Sequence, residues 1–394
     1  MQLSHGLQLA YSTNIHRGES WLETFAALQQ YTLAVRERVC PTRPYAIGLR
    51  LSDLASRELS EPKSLAAFQR WLDENDGYVF TINGFPFGRF HGGRVKEQVY
   101  VPDWTTPERL AYTNRLFDLL AQLVPGGVEG SVSTVPCSFK EFIKNENQIR
   151  QMRANLWRCI EHISALSERT GKTLHLGLEP EPLCFLETSS ETAEFFDQMR
   201  ADRPDDPRLE HCLGVNYDTC HLAVEFEEPA AVLRRFQKHR IKISKLHLSS
   251  ALKVRPTPEV RSALGAFADD VYLHQVVAQA EGGELTRFRD LGDALNCQLP
   301  IANRQSEEWR IHFHIPLHSQ PTPLFNNTSD HLLGVMDALK ENPGLCSHLE
   351  METYTWEVMP AEMKNRSVVD QLAGEYEWCL AKLAERGIVR ATPS

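Results

Sequence analysis

The stretch "LGVNYDTCH" (residues 213–221) sets an apolar run against a polar turn, with Asp218 closing the run and His221 three residues on. A short apolar run that ends in this way reads as a buried strand feeding a helix. The same grammar recurs along the chain. Runs at 7–14, 45–52, 78–84, 128–135, 173–179, 213–218, 243–249 and 347–354 read as strands, with helical stretches between them. That alternation is the signature of parallel βα units. Ser20 and Glu23 form a capping-box pair ahead of Trp21, Phe25, Leu28 and Val35 on one face, and Thr106-Pro107 suits a first helical turn. Eight units predict an α/β fold, a (β/α)8 TIM barrel that needs about 250 residues before insertions. A single domain over 1–394 is expected, with its surplus in two places. One is a Gly-, Pro- and aromatic-rich active-site loop at 84–105 after the third strand. The other is an insertion at 250–318 between strands seven and eight, with a helix around 258–280 and a further short run, "IHFHIPLH".

Composition excludes several classes. At 42% hydrophobic and 24% charged, the chain is neither disordered nor fibrous. No run approaches the roughly 18 apolar residues of a membrane span, and "MQLSHGLQLAYSTN" lacks an export signal, so a cytoplasmic protein without membrane insertion is expected. Nine scattered cysteines with no C-x-x-C predict reduced, mostly buried thiols. A net charge of -10 argues against a nucleic-acid partner, because phosphate binding draws on clustered Lys and Arg.

In a parallel barrel the chemistry sits at the carboxyl ends of the strands. There the sequence offers Asn14 and His16, then His91 beyond strand three, Glu179 with Glu181 two residues on, Asp218 with His221, His247, and finally Glu350 and Glu352. Each has a bland reading. Asp218 is a good N-cap for the next helix, and His221 could sit on that helix's surface. Convergence argues otherwise. Carboxylates from several strands, buried around one mouth, repel one another unless a cation joins them. Asp218 is then expected as a ligand, with His221 on substrate or a second metal. His312 and His314 alternate in "HFH" and either face solvent together or serve that second metal or the substrate. Oxygen and imidazole donors without thiolate suit Mn, Zn, Co or Mg. Phe85, Phe87, Phe90 and Trp104 in the 84–105 loop either pack or shield the site.

Glu at the end of strand five, D-x-x-H after strand six, His on strand seven and Glu on strand eight resemble the xylose-isomerase-like TIM barrels, which include sugar isomerases, epimerases and endonuclease IV. The stretches "STNIHRGESW", "TINGFPFGRFHG", "LGLEPEPLCFLET", "NYDTCHLAVEFE" and "LEMETYTW" resemble, more narrowly, the EboE metabolite-traffic family. The epimerase pattern implies Glu179, Asp218, His247 and Glu352 as ligands of a divalent metal, with Glu179 and Glu352 also as acid and base. It implies His221 on substrate oxygens; His16, His91, Glu181 and Trp104 are further substrate candidates. The endonuclease pattern implies more metals, but its D-x-H reads His312-x-His314 here. The implied partners are a small-molecule substrate and proteins of a secondary-metabolite pathway, with a homo-oligomer left open. A non-catalytic carrier is the rival reading.

Overall fold

The computed structural model describes residues 1–297, 306–360, 364 and 366–391. Strands β1 (Gln8–Tyr11), β2 (Tyr45–Arg50), β3 (Gly77–Asn83), β4 (Gly130–Thr134), β5 (Leu174–Leu178), β6 (Leu213–Asp218) and β7 (Lys242–Leu248) correspond to the first seven expected runs. The insertion supplies β8 (Ala251–Val254), β9 (Val276–Ala280), β10 (Leu285–Phe288), β11 (Ser306–His314) and β12 (Asn326–Asn327), before β13 (His348–Met351) completes the barrel. The eight-stranded sheet runs β1-β13-β7-β6-β5-β4-β3-β2, parallel throughout. A bridge between Ser12 and Gly48 joins its two edges, so the barrel is nearly closed. Among the described residues no helix is long and apolar enough to cross a membrane. All nine cysteines are free and eight are buried, as expected of thiols with no disulfide role.

Outward-facing strand residues such as Leu176, Val215, Leu246 and Leu349 are fully buried under the surrounding helices, each worth roughly 1.5–3 kcal/mol. The capping box on Ser20 and Glu23 and the Thr106 cap both form. Inside the barrel the side chains are largely polar and lie in tiers. Alternation along β13 sends His348, Glu350 and then Glu352, just past its end, inward at three successive heights. The middle tier needs Gly48, because a Cβ there would stand 2.0 Å from Glu350 Oε1.

Two expectations change. The helix around 258–280 stops at Leu264, after which Asp269 Oδ1 accepts the Val271 and Tyr272 amides at 2.6 and 3.0 Å. That Asp turn competes with helical bonding, and the β-branched "VVAQA" continues as β9. The outermost strands are also shorter than expected: after Tyr11 and Met351 the chain enters 3-10 turns at Thr13–Ile15 and Tyr354–Glu357. The insertion forms an antiparallel sheet, β10-β9-β11-β8-β12, with its own apolar core around Leu252, Phe267, Trp309 and Phe313. Residues 298–305 of that expected insertion lie outside the described residues. The 84–105 loop is tied to it: Val95 and Lys96 N–H donate to Val271 O at 2.8 and 2.9 Å, and Lys96 Nζ reaches Asp290 Oδ2 at 2.6 Å.

Candidate metal centre

At the carboxyl end of the barrel, one donor atom from each of Glu179, Asp218, His247 and Glu352 lies within 4.8 Å of the others, and all four residues are buried. His247 Nδ1 is the hub, 3.0 Å from Glu179 Oε1, 3.5 Å from Asp218 Oδ2 and 3.1 Å from Glu352 Oε2. The residues expected from neighbouring strand ends therefore meet. Their charges do not balance unaided. Each like pair about 4 Å apart costs roughly 4 kcal/mol at an effective dielectric of about 20. Glu179 Oε2 and Asp218 Oδ2 are buried and have no hydrogen-bond partner among the described residues. Such atoms fit a divalent cation.

Asp218 satisfies its bland and its chemical reading with different oxygens. Oδ1 caps the helix Thr219–Val224, accepting from the Cys220 and His221 amides at 2.7 and 3.1 Å and from Ser249 Oγ at 2.5 Å. Oδ2 is left for the cavity. Burial pushes this carboxyl up, and His221, His314 and His247 more than offset that, leaving it well below its ordinary range. It stays a carboxylate.

His247 is oriented from behind. Its Nε2–H donates to Glu350 Oε2 at 2.8 Å, and Glu350 is itself held by Lys245 Nζ at 2.6 Å. A carboxylate on the far nitrogen fixes the ring so that Nδ1 faces the cluster, the support that ligating histidines ordinarily have. Burial lowers the His247 pKa, but Glu352 and Glu179 raise it by more, to well above normal. Without a cation the ring answers as an imidazolium; with one, the same nitrogen is a ligand. Glu352 Oε1 is pinned by Asn14 and Asn83 at 2.7 and 3.1 Å. In the sequence Asn14 stands among the strand-end residues without a role and Asn83 is not singled out, because a lone Asn near a strand end carries no signal of its partner.

Three further histidines converge beside this cluster. His221 Nδ1–H donates to Pro180 O at 3.0 Å, His312 Nδ1–H to Gln275 Oε1 at 2.7 Å and His314 Nδ1–H to Glu352 O at 2.9 Å. A neutral ring then has its lone pair on Nε2. Burial lowers the His221 pKa, but Asp218, Glu181 and Glu179 raise it by more, and Tyr354 Oη stands 3.3 Å from His312 Nε2. Yet His221 Nε2 and His312 Nε2 stand 3.1 Å apart, and His314 Nε2 is buried without a partner. Lone pairs facing one another need a shared proton or cation. Asp218, His221 and His314 form one compact donor set, and Glu181, His221 and His312 another. In the "HFH" stretch the two imidazoles thus turn inward, and Ile311 and Phe313 fill the insertion's core.

Glu181 reaches the cavity by a route other than strand continuation. β5 ends at Leu178, prolines 180 and 182 cannot extend a ladder, and a turn closed by Glu181 N–H on Leu186 O delivers the carboxyl. It accepts from Tyr100 Oη at 2.5 Å and Gln275 Nε2 at 3.2 Å, and burial pushes it up to about 7. A cavity of about 50 Å³ remains, roofed by Phe85, Phe90, Tyr272 and Tyr354.

Three sequence candidates lie elsewhere. Trp104 is fully buried in the main core, its indole N–H on Thr134 Oγ1 at 3.2 Å, because the loop turns there to cap the next helix. His16 stacks on Tyr31 and bonds Tyr11 Oη at 2.9 Å. His91 bonds Asn14 O at 2.5 Å and Tyr272 Oη. Both histidines line a neighbouring groove with Arg17 and Arg50, not the cavity. Phe87 packs on Tyr112 instead of joining the roof.

The fold is that of the xylose-isomerase-like TIM barrels. It is similar to the IolI protein solved with a bound zinc atom (TM-score 0.51, 12% identity, 96% of this chain and 99% of that one). It is also similar to a xylose isomerase-like TIM barrel protein from Mycobacterium smegmatis in complex with magnesium (TM-score 0.54, 12% identity, 98% and 99% covered). By sequence, no family model matches the chain and no curated protein matches it.

Proposed function

We infer that the protein is a metal-dependent isomerase or epimerase of a small polyhydroxylated carbonyl compound. The observation that carries this reading is the buried meeting of Glu179, Asp218, Glu352 and His247, with carboxylate oxygens that have no protein partner. Glu179, Asp218, His247 and Glu352 would hold the cation, which supplies Lewis acidity toward a carbonyl and adjacent hydroxyl and so acidifies the C–H between them. Glu179 and Glu352 then divide the proton work: one carboxylate takes the proton from that carbon and the other returns it. Asn14 and Asn83 keep one oxygen of Glu352 occupied, so its other oxygen is the one that acts. Glu181, which burial pushes up to about 7, shares its population between acid and carboxylate at neutral pH, and its acid form can give a proton to a substrate oxygen. His221 faces the same cavity, and the aromatic roof excludes water. The EboE-like stretches would place this reaction on a secondary-metabolite precursor.

The histidine trio favours a second reading, metal-assisted hydrolysis of a phosphodiester by two or more cations. The small roofed cavity fits a metabolite better than a polymer. The protein, Mn or Zn and a panel of ketoses and keto-acids in deuterated water provide the test. Deuterium at the carbon beside the carbonyl is the expected result. Tight binding without exchange would make the protein a carrier, and cleavage of bis(p-nitrophenyl) phosphate without exchange would favour the hydrolase.

A further inference from the structure

We propose that the amino-terminal floor of the barrel holds a separate transition-metal site, formed by Glu129, His175 and His348. Glu129 directly precedes β4, His175 lies on β5 and His348 opens β13 on the far side of the sheet order, so a shared ion would tie opposite walls of the cylinder together. One donor atom from each lies within 4.8 Å of the others. Both histidines are wholly buried, and Glu129 is partly open to a surface groove that His348 also lines.

The hydrogen bonds around the rings orient them as ligands. His348 Nδ1 meets Ser131 Oγ at 2.7 Å, and that hydroxyl continues to Thr81 Oγ1 at 2.8 Å, a chain that can accept the Nδ1 proton and so leave the lone pair on Nε2 for a metal. His175 Nδ1 meets Ser244 Oγ at 2.6 Å; without a metal the hydroxyl donates to Nδ1 and Nε2–H donates to Glu129, whereas a bound metal calls for the other tautomer, with Nδ1–H on Ser244 Oγ. Ser244 reaches inward because the β6 and β7 registers slip by one residue at Val215 and Asn216. A plain hydrogen bond accounts for His175 Nε2 and Glu129 Oε2, 3.2 Å apart. It leaves His348 Nε2 buried beside both groups with no hydrogen-bond partner among the described residues. An unpaired imidazole nitrogen in such a place is costly to bury, and a metal removes that cost. Burial keeps both imidazoles neutral at physiological pH, and His175 falls to about 4. Glu129 is held to about 2, first by its bond from His175.

Two imidazoles and a carboxylate with an open position suit Zn, Co, Ni or Fe(II) over Mg or Ca. Lys242 Nζ, 3.4 Å from Glu129 Oε2, opposes a cation, but it is part-exposed and has water to swing into. The floor of such a barrel is where stability, not chemistry, is ordinarily invested. The role assigned to the ion is therefore structural, and it is independent of what the mouth does.

The test is a crystal of the zinc-loaded full chain measured at the zinc absorption edge, with zinc per chain measured on wild type, Glu129→Gln, His348→Gln and Asp218→Asn. An anomalous peak between Glu129, His175 and His348 is expected. Glu129→Gln and His348→Gln should each lose one zinc equivalent and the zinc-dependent rise in melting temperature. Asp218→Asn should keep that equivalent. Glu129 is part-exposed, so its variant folds even if His348→Gln does not. No peak on the floor, or unchanged zinc content in Glu129→Gln, overturns the site without touching the reading of the mouth.

Discussion

The two ends of the barrel use the same side-chain chemistry at different charge. At the mouth, three carboxylates and a histidine crowd within 4.8 Å, with Glu181 and three more histidines beside them. On the floor, two neutral histidines face one carboxylate that Lys242 and solvent can also satisfy. Between them, Lys245 and Glu350 form a fully buried ion pair of opposite charges, with Glu350 Oε1 left without a hydrogen-bond partner among the described residues. The comparison teaches that residue type does not decide what a buried polar cluster needs; its uncompensated charge does. On that reading the floor can do without an ion, and the mouth, with three carboxylates around one imidazole, is where a cation would relieve the most repulsion.

Breaking the mouth should therefore have the largest effect. Asp218→Asn keeps a competent helix cap, since Asn and Asp cap equally well, but replaces a charged oxygen with a neutral group. Proton exchange should fall by about 10³-fold, with zinc lost at the mouth and the melting temperature of the metal-free protein preserved. An unchanged rate and metal content would show that the crowding has another remedy. Next comes the middle tier. Lys245→Met strands Glu350 and should cost about 3–5 kcal/mol in urea unfolding, while zinc per chain at saturation stays at the wild-type value. A smaller third effect sharpens the roof: Lys96→Met removes the link to Asp290 and Asp269 that fastens the 84–105 loop to the insertion. Substrate KM should rise several-fold with metal content unaltered, which equilibrium binding can check.

This division by charge also explains what the sequence could disclose. Eight apolar runs and the acids and imidazoles at their ends are periodic, local signals, so β1 to β7, β13 and the Glu179, Asp218, His247, Glu352 set could be read directly. Lys245 inside "ISKLHLS" gives no such sign, because its partner Glu350 lies 105 residues away and burial of a Lys is intelligible only with that partner in view. Trp104, His16 and His91 failed for the opposite reason: they lie on loops, where no periodicity fixes which way a side chain points. The helical reading past Leu264 failed because one Asp turn outweighed a weak pattern.

The finest test of the charge argument lies outside the barrel interior. Glu375, on the helix Val368–Ala384, is fully buried and accepts from Leu317 N at 3.0 Å and Thr353 Oγ1 at 2.6 Å, with no ion pair to a cation among the described residues. Burial pushes it up to about 7 despite those donors, whereas Glu350, equally buried beside Lys245, is held to about 2. The sign follows from linkage. A carboxyl whose folded pKa is raised keeps a proton that the unfolded chain has already released. Its contribution is whole below about 4.5, the ordinary value, and declines as pH climbs to about 7. A displacement of that size corresponds to about 3 kcal/mol. Urea unfolding from pH 4.5 to 8 should show wild type losing stability over that window relative to Glu375→Gln, which keeps the shape and cannot ionise. Parallel curves would mean that hydrogen bonds alone suffice for a buried carboxylate, and the demand for a cation at the mouth would lose its physical basis.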